Sequence, residues 1–254
     1  MHKSSCINNK FKFAFTSVVS FLFIYVMIFE FIIPGTSFLP SFTTLVYSLP
    51  SLWKEYDFFN RFLLTYTVVY LSLFLGFLVL YLKRIFIIKF YYVFPEFINL
   101  PNLLKYFPAF FFAILFTYWF QQNILAEYAY GFLYVVWLLS YSLMSSVPSV
   151  PQEFIDSAKT MGKTYNEIIA QIIWKHSLPK VFKRLEDSHY LLWVIVLIYE
   201  FIAETNGLGL IYKKALNYND ISVVLDLAVI LSFVMLFGKM VLSAIKKRFV
   251  FWES

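Results

Sequence analysis

The chain has 254 residues, a net charge of +6, 61% hydrophobic and 22% aromatic residues, and only 14% charged ones. Its mean hydropathy of +0.71 excludes a water-soluble domain, whose surface would not tolerate so little polarity, and points to an all-α polytopic membrane protein. One cysteine, Cys6, excludes an intramolecular disulfide, and His2, His176 and His189 have no companions at metal-ligand spacing.

Apolar runs long enough to cross a bilayer fall at about 12 to 34, 59 to 82, 104 to 120, 123 to 146, 185 to 203 and 222 to 244, which gives six spans. The first follows Lys12, is too long for a signal-peptide core and has no small-residue cleavage site after it, so it reads as a retained anchor. Between the second and third, the stretch from Ile85 to Leu104, broken by Pro95 and Pro101, reads as an interfacial helix lying along the membrane. Aromatics of the third and fourth spans, including Phe110, Phe111, Phe112, Tyr118, Trp119 and Phe120, admit two readings, a stack for a ring-shaped substrate or, more economically, lipid-facing bulk and interfacial belt.

With both termini inside, Lys54, Arg61, Lys213 and Lys214 are the only basic residues on the outer side; the other 17 of 21 lie inside or in the last helix. That bias accounts for the positive charge without any nucleic-acid partner, and Lys246, Lys247 and Arg248 are placed to meet anionic lipid.

Between the fourth and fifth spans runs a charged loop, residues 149 to 179, with the sequence PQEFIDSAKTMGKTYNEIIAQIIWKHSLP from Pro151 onward. Ser149 and Gln152 have capping-box spacing, so a first helix is expected from Pro151 to about Met161. Gly162 stands where a helix end calls for a left-handed residue, and Thr164 with Glu167 repeats the box. A second helix is then expected to about Ser177, with Ile168, Ile169, Ile172 and Ile173 as its apolar stripe and Asn166, Glu167, Gln171 and Lys175 polar. On the first helix Phe154, Ile155 and Ala158 are the apolar set.

Ionisable residues stand at both of the last two spans. Glu200, near the outer end of the fifth, admits two roles, pathway lining or a structural hydrogen bond; Asp226 is expected to face the bundle interior, paired or hydrated. Arg184, Glu186, Asp187 and His189 crowd the inner end of the fifth span, which therefore either lies outside the lipid or forms an ion-pair network, with His189 a structural histidine.

Asp156-Ser157-Ala158, three residues, Gly162, nine residues and Ile172 resemble the EAA loop of ATP-binding-cassette (ABC) importer permeases. The chain departs from that motif with Asp for Glu, Ser for the first Ala, and Trp174-Lys175 in place of Leu-Pro, and it keeps a later proline, Pro179. Trp193, Glu200, Gly207-Leu208-Gly209, the basic run 246 to 248 and Trp252 look most similar to the branch that imports nitrate, sulfonates such as taurine, and thiamine precursors. LPSFTTLVYSL, after the first span, is a looser match to the family's entry segment.

The resemblance implies a type I importer permease, one transmembrane domain over residues 1 to 254, in a bacterial inner membrane with both termini cytoplasmic. It implies Glu153, Asp156, Ser157, Ala158, Gly162 and Ile172 as the contacts to the ATPase, and Trp193 and Glu200 as candidates for the substrate pathway. Partners implied are two ATPase subunits that hold ATP and Mg, a second copy or a sister permease, and an extracytoplasmic solute-binding protein. No cofactor is expected in this chain, which has no GxxxxGK[ST] loop to hold a nucleotide. The competing reading is an ATPase-independent secondary transporter or channel, against which stands the absence of an internal repeat. An intramembrane enzyme lacks any His-Glu-x-x-His, Ser-His or paired-carboxylate motif within a span.

Overall fold

The computed structural model describes residues 16, 17, 19–33, 39–99, 109–120 and 123–253. Among them the chain is helical throughout: α1 (Val19–Ile32), α2 (Phe42–Lys54), α3 (Phe58–Val93), α4 (Ala109–Phe120), α5 (Ile124–Ser146), α6 (Gln152–Thr160), α7 (Tyr165–Ala203), α8 (Leu208–Asn217) and α9 (Ile221–Phe249). Three helices, α3, α5 and α9, are long and apolar enough to cross a membrane, and α7 with α8 makes a fourth candidate bent by 56°. α1 and α4 are shorter apolar helices at the expected first and third spans, whose remaining residues 12–15, 18, 34 and 104–108 lie outside the described ones.

Residues divide into two compact units, Met1–Phe58 with Lys213–Ile230, and Phe59–Tyr212 with Leu231–Ser254. In the smaller unit Ser41 caps α2 by accepting the Thr44 N–H at 3.3 Å. Ser48 on α2 donates to Asp226, which is buried, as expected of a carboxylate in a span. Tyr56 donates to Asp220 at 3.1 Å and Thr43 to Glu30 at 2.8 Å.

The larger unit is built on α5 and α7, which run against each other, with α4 against both. Alanines let these helices approach: Ala113, Ala126 and Ala203 are buried together with Tyr130, Ile195 and Tyr199, and Tyr130 stacks on Tyr199 at 5.3 Å. The exposed apolar side chains, among them Phe74, Leu82 and Phe86 on α3 and Phe233, Phe237 and Met240 on α9, are the complement a lipid environment calls for.

Two expectations about helix ends are corrected. The interfacial helix expected from Ile85 to Leu104 does not begin at Ile85, which lies inside α3; that helix runs unbroken to Val93, Ile88 is fully buried, and no breaker intervenes before Pro95, while residues 100–104 lie outside the described ones. The second loop helix does not stop at Ser177. It passes through a π-helical turn, Ile169–Ile173, and through Pro179 into the fifth span as one helix ending at Ala203. Pro179 removes one backbone bond, but the flanking Trp174, Ser177, Leu178, Val181 and Phe182 are all buried, and that packing holds the helix through the break.

Candidate coupling site

α6 begins at Gln152 with Pro151 as its N-cap and no side-chain cap. The Ser149–Gln152 box therefore does not form, because the Ser149 hydroxyl is held by the Ser146 carbonyl at 2.6 Å and faces His176 Nε2 at 3.4 Å. The C-terminus of α6 follows expectation. Gly162 has φ +75°, its N–H donates to the Lys159 carbonyl at 2.9 Å, and the Lys163 N–H reaches back to the Ala158 carbonyl at 3.1 Å. That is a Schellman closure, in which the left-handed residue is glycine because a Cβ would carry strain there.

The second box forms in full. Glu167 accepts from the Thr164 N–H at 2.8 Å and from the Thr164 hydroxyl at 2.6 Å, while its own N–H donates to Thr164 Oγ1 at 3.4 Å. These donors hold the Glu167 carboxyl below its usual range. Behind the cap Ile168, Ile169 and Ile173 are buried and Ile172 is half-buried, while Asn166, Glu167, Gln171 and Lys175 are exposed, so the isoleucine stripe is seated as expected.

On α6 only Ala158 is buried. Ile155 is half-buried, and Phe154, expected in the apolar set with them, is 57% exposed, as Met161 is 73% exposed. Glu153, Asp156 and Ser157 are exposed as well. Asp156 accepts from Lys159 Nζ at 3.1 Å and from Gln152 at 3.0 Å, and these bonds, Lys159 first, hold its carboxyl below the usual range. Asp156 is thus occupied along its own helix, one turn to either side. Between α6, the start of α7 and the C-terminal Phe251 and Trp252 lies an open cavity of about 720 Å³, lined by Phe154, Ala158, Met161 and Ile172.

The segment is tied to the spans by aromatic contacts. Tyr92, at the end of α3, meets Tyr165 at 6.0 Å, and Trp174 meets Tyr81 at 5.9 Å with Arg84 lying 4.3 Å over the Tyr81 ring. Trp174, one of the departures from the family motif, is buried, with the Arg84 guanidinium 5.7 Å from its ring centre. Phe249 stacks on Phe182 at 5.9 Å and so anchors the end of α9 beside α7.

At the far end of α7, Trp193 and Glu200 are fully buried. Trp193 Nε1 donates to His189 Nε2 at 3.1 Å, and Tyr70 shares the same nitrogen at 3.2 Å. An indole only donates, so His189 carries its proton on Nδ1 and is neutral. Glu200 accepts from Thr65 at 2.5 Å and from the Gly209 N–H at 2.7 Å, and Leu208 N–H donates to Thr65 at 2.9 Å. The Gly-Leu-Gly segment is explained by this contact: Leu208 and Gly209 already belong to α8, a Cβ on Gly207 would fall 2.0 Å from the Glu200 carboxyl, and one on Gly209 only 2.4 Å from the Leu197 carbonyl. No ion pair joins Arg184 to Glu186 or Asp187 among the described residues.

Thr65, Glu127, Tyr81 and Arg84 were not singled out by sequence reasoning. Thr65 pairs with Glu200 on α7, distant in the chain, and Glu127 is fully buried on α5, neither of which local spacing reveals; Arg84, beside Tyr81 within one helical turn, carried the only local signal.

The fold defines a polytopic helical membrane protein that presents a short exposed helix, joined through Gly162 to one of its longest helices. The family model of the binding-protein-dependent transport system inner membrane component matches residues 39–251, and the chain belongs to that family. It is the membrane permease subunit of an ABC importer, a multi-pass inner-membrane protein and not itself an enzyme. No curated protein matches it.

Proposed function

We propose that α6, Gly162 and the start of α7 form the element through which a cytosolic ATPase drives this permease, with Glu153, Asp156, Ser157, Ala158, Gly162 and Ile172 at or directly beneath the contact. The observation that supports it is the exposure of Phe154 and Met161 on a helix closed rigidly onto α7. An exposed aromatic and a methionine suit docking in a groove, and a helix continuous from Tyr165 to Ala203 carries displacement as a rigid body where a loop would absorb it. Ala158, buried, and Asp156, bonded along its own helix, then shape the docking helix, while Phe154 and Met161 supply its apolar contact.

In this reading residues 1 to 254 act as one permease domain. Two ATPase subunits hold ATP and Mg and perform the hydrolysis, this chain binds no cofactor, a second copy or a sister permease completes the pathway, and an extracytoplasmic binding protein delivers the solute. Both termini lie in the cytoplasm, following the distribution of basic residues. Trp193, Glu200 and the Gly207 turn favour the nitrate, sulfonate or thiamine-precursor branch; since both side chains are enclosed, they act on the pathway by fixing α7 against α3 and α8.

The test is copurification of the tagged chain from mild detergent, as wild type and as Phe154→Glu, Met161→Glu and Gly162→Trp. An ATPase subunit is expected with wild type. A charge on the exposed apolar contact should cost about 2 kcal/mol, some thirtyfold in affinity, and strip the ATPase from a chain that still elutes intact. Absence of an ATPase from every preparation would sink the coupling role.

A further inference from the structure

Between the end of α5, the first half of α7 and the end of α9, all in the larger unit, lies a cavity of about 440 Å³, a size that takes a small ligand group. Ser146 and Ser149 line it from α5 and just beyond, His176, Lys180 and Lys183 from α7, Lys246 from the last turn of α9, and Trp252 from the segment that follows. The α7 residues stand four and three positions apart, so they share one face of the helix. No aspartate or glutamate lines the cavity, and Asp187, one turn further along α7, is exposed outside it. The two hydroxyls are already engaged, Ser146 on the Leu143 carbonyl and Ser149 on the Ser146 carbonyl, each at 2.6 Å. Lys180 is steadied by the Ser145 carbonyl at 2.8 Å, which leaves its other N–H groups available. The Lys183 and Lys246 side chains have no hydrogen-bond or ion-pair partner among the described residues.

Lysines brought to one cavity from two helices repel each other, and an anion bound among them turns that repulsion into attraction. The surroundings say which anion. α9 is apolar and long enough to cross a membrane, and Lys246 stands at its end, where a lipid headgroup lies. Ile245 and Phe249, beside Lys246 in the chain, are exposed, and Trp252 brings an aromatic ring of the kind that sits at headgroup level. An apolar rim around a cationic cavity fits a phosphate that carries acyl chains better than a free phosphate, which has no use for the rim. We infer that Lys180, Lys183 and Lys246 form a binding site for the phosphate of an anionic phospholipid, which ties the end of α9 to α7. The site does not depend on α6 docking an ATPase, although His176 and Trp252 also line the cavity beside α6.

The test titrates the full-length chain, purified in mild detergent with its bound subunits, with short-chain phosphatidylglycerol, short-chain phosphatidylcholine or inorganic phosphate while melting temperature is followed. Phosphatidylglycerol should give a saturable rise that the other two do not match. In Lys183→Gln/Lys246→Gln its apparent affinity should fall about thirtyfold. The charge-matched pair Lys247→Gln/Arg248→Gln, exposed and outside the cavity, should keep most of it. Lys180 is left in place because it also holds the end of α5. No response in wild type would mean that a group of the bound subunits fills the cavity, and an equal rise with phosphatidylcholine would mean apolar contact alone. A phosphate response abolished by the cavity pair would mark a site for a free anion, and equal losses in the two pairs would mark general surface attraction. Each of these results would overturn the assignment.

Discussion

Gly209, at the start of α8, has no room for a side chain, since an added methyl would meet the Leu197 carbonyl at 2.4 Å and the Phe201 nitrogen at 2.6 Å, both backbone atoms that cannot swing aside. Gly209→Ala is therefore expected to destabilise the detergent-solubilised protein by about 1 to 3 kcal/mol, read as a lower melting temperature. Gly162 presents the opposite case. Nothing lies within 4 Å of its would-be Cβ, so Gly162→Ala should cost only the left-handed strain, about 1 kcal/mol, and leave global melting nearly unchanged. Comparing the two variants by thermal denaturation separates lack of space from lack of conformational freedom. At His189, both Trp193 and Tyr70 converge on one nitrogen, and a Cβ on Gly238 would fall 2.5 Å from that atom, so the histidine is held from three helices.

The second capping box makes a pH-dependent element. Glu167 is held below its usual range by Thr164, so the folded pKa is the depressed one: the stabilisation is full above the ordinary glutamate value of 4.5 and is lost as pH falls through the lower folded value. A carboxyl-carbon NMR titration of Glu167 should show a midpoint below 4.5 in wild type, returning toward it in Thr164→Ala, which also removes about 1 kcal/mol of capping. That box, the Gly162 turn and the isoleucine stripe were legible because each is local chemistry within a few residues. The Ser149 box was not, because Ser146 and His176 compete for the same hydroxyl. The continuity of α7 was also hidden: Pro179 and the charged run 183 to 187 read as a break, and the burial that overrides them depends on distant partners such as Tyr81 and Phe249. Spin labels at the exposed Lys175 and Tyr190 should lie about 22 Å apart along an unbroken helix rising 1.5 Å per residue; a clearly shorter distance would mean a kink.

For the whole molecule, composition established the all-helical membrane class, yet the helices do not reproduce six equal spans. α3 extends beyond the expected second span and α7 begins well before the fifth; the expected first and third spans are described only in part, as α1 and α4. Hydropathy detects the apolar middle of a helix and misses ends whose amphipathic residues pack on protein. The topology is checked by cysteine accessibility in a chain whose Cys6 is replaced by Ser. A membrane-impermeant maleimide applied outside should label Cys at Lys54 or Lys214, both exposed, and label Met161→Cys only after permeabilisation. The reverse pattern would place the loop outside and remove it from any cytosolic partner.

Only Gly162 and Lys163 separate the helix end at Met161 from the cap at Thr164, and both backbone groups of the turn are already engaged. Such a joint has a fixed phase as well as a fixed length. One residue inserted into α6 before Phe154 would turn everything ahead of it by about 100° without touching the joint, whereas one inserted between Gly162 and Thr164 would reorient the whole of α6 against α7. The side chains would be unchanged and only their bearing altered, so a docking partner would meet the first insertion only at Glu153 and the second as a different surface.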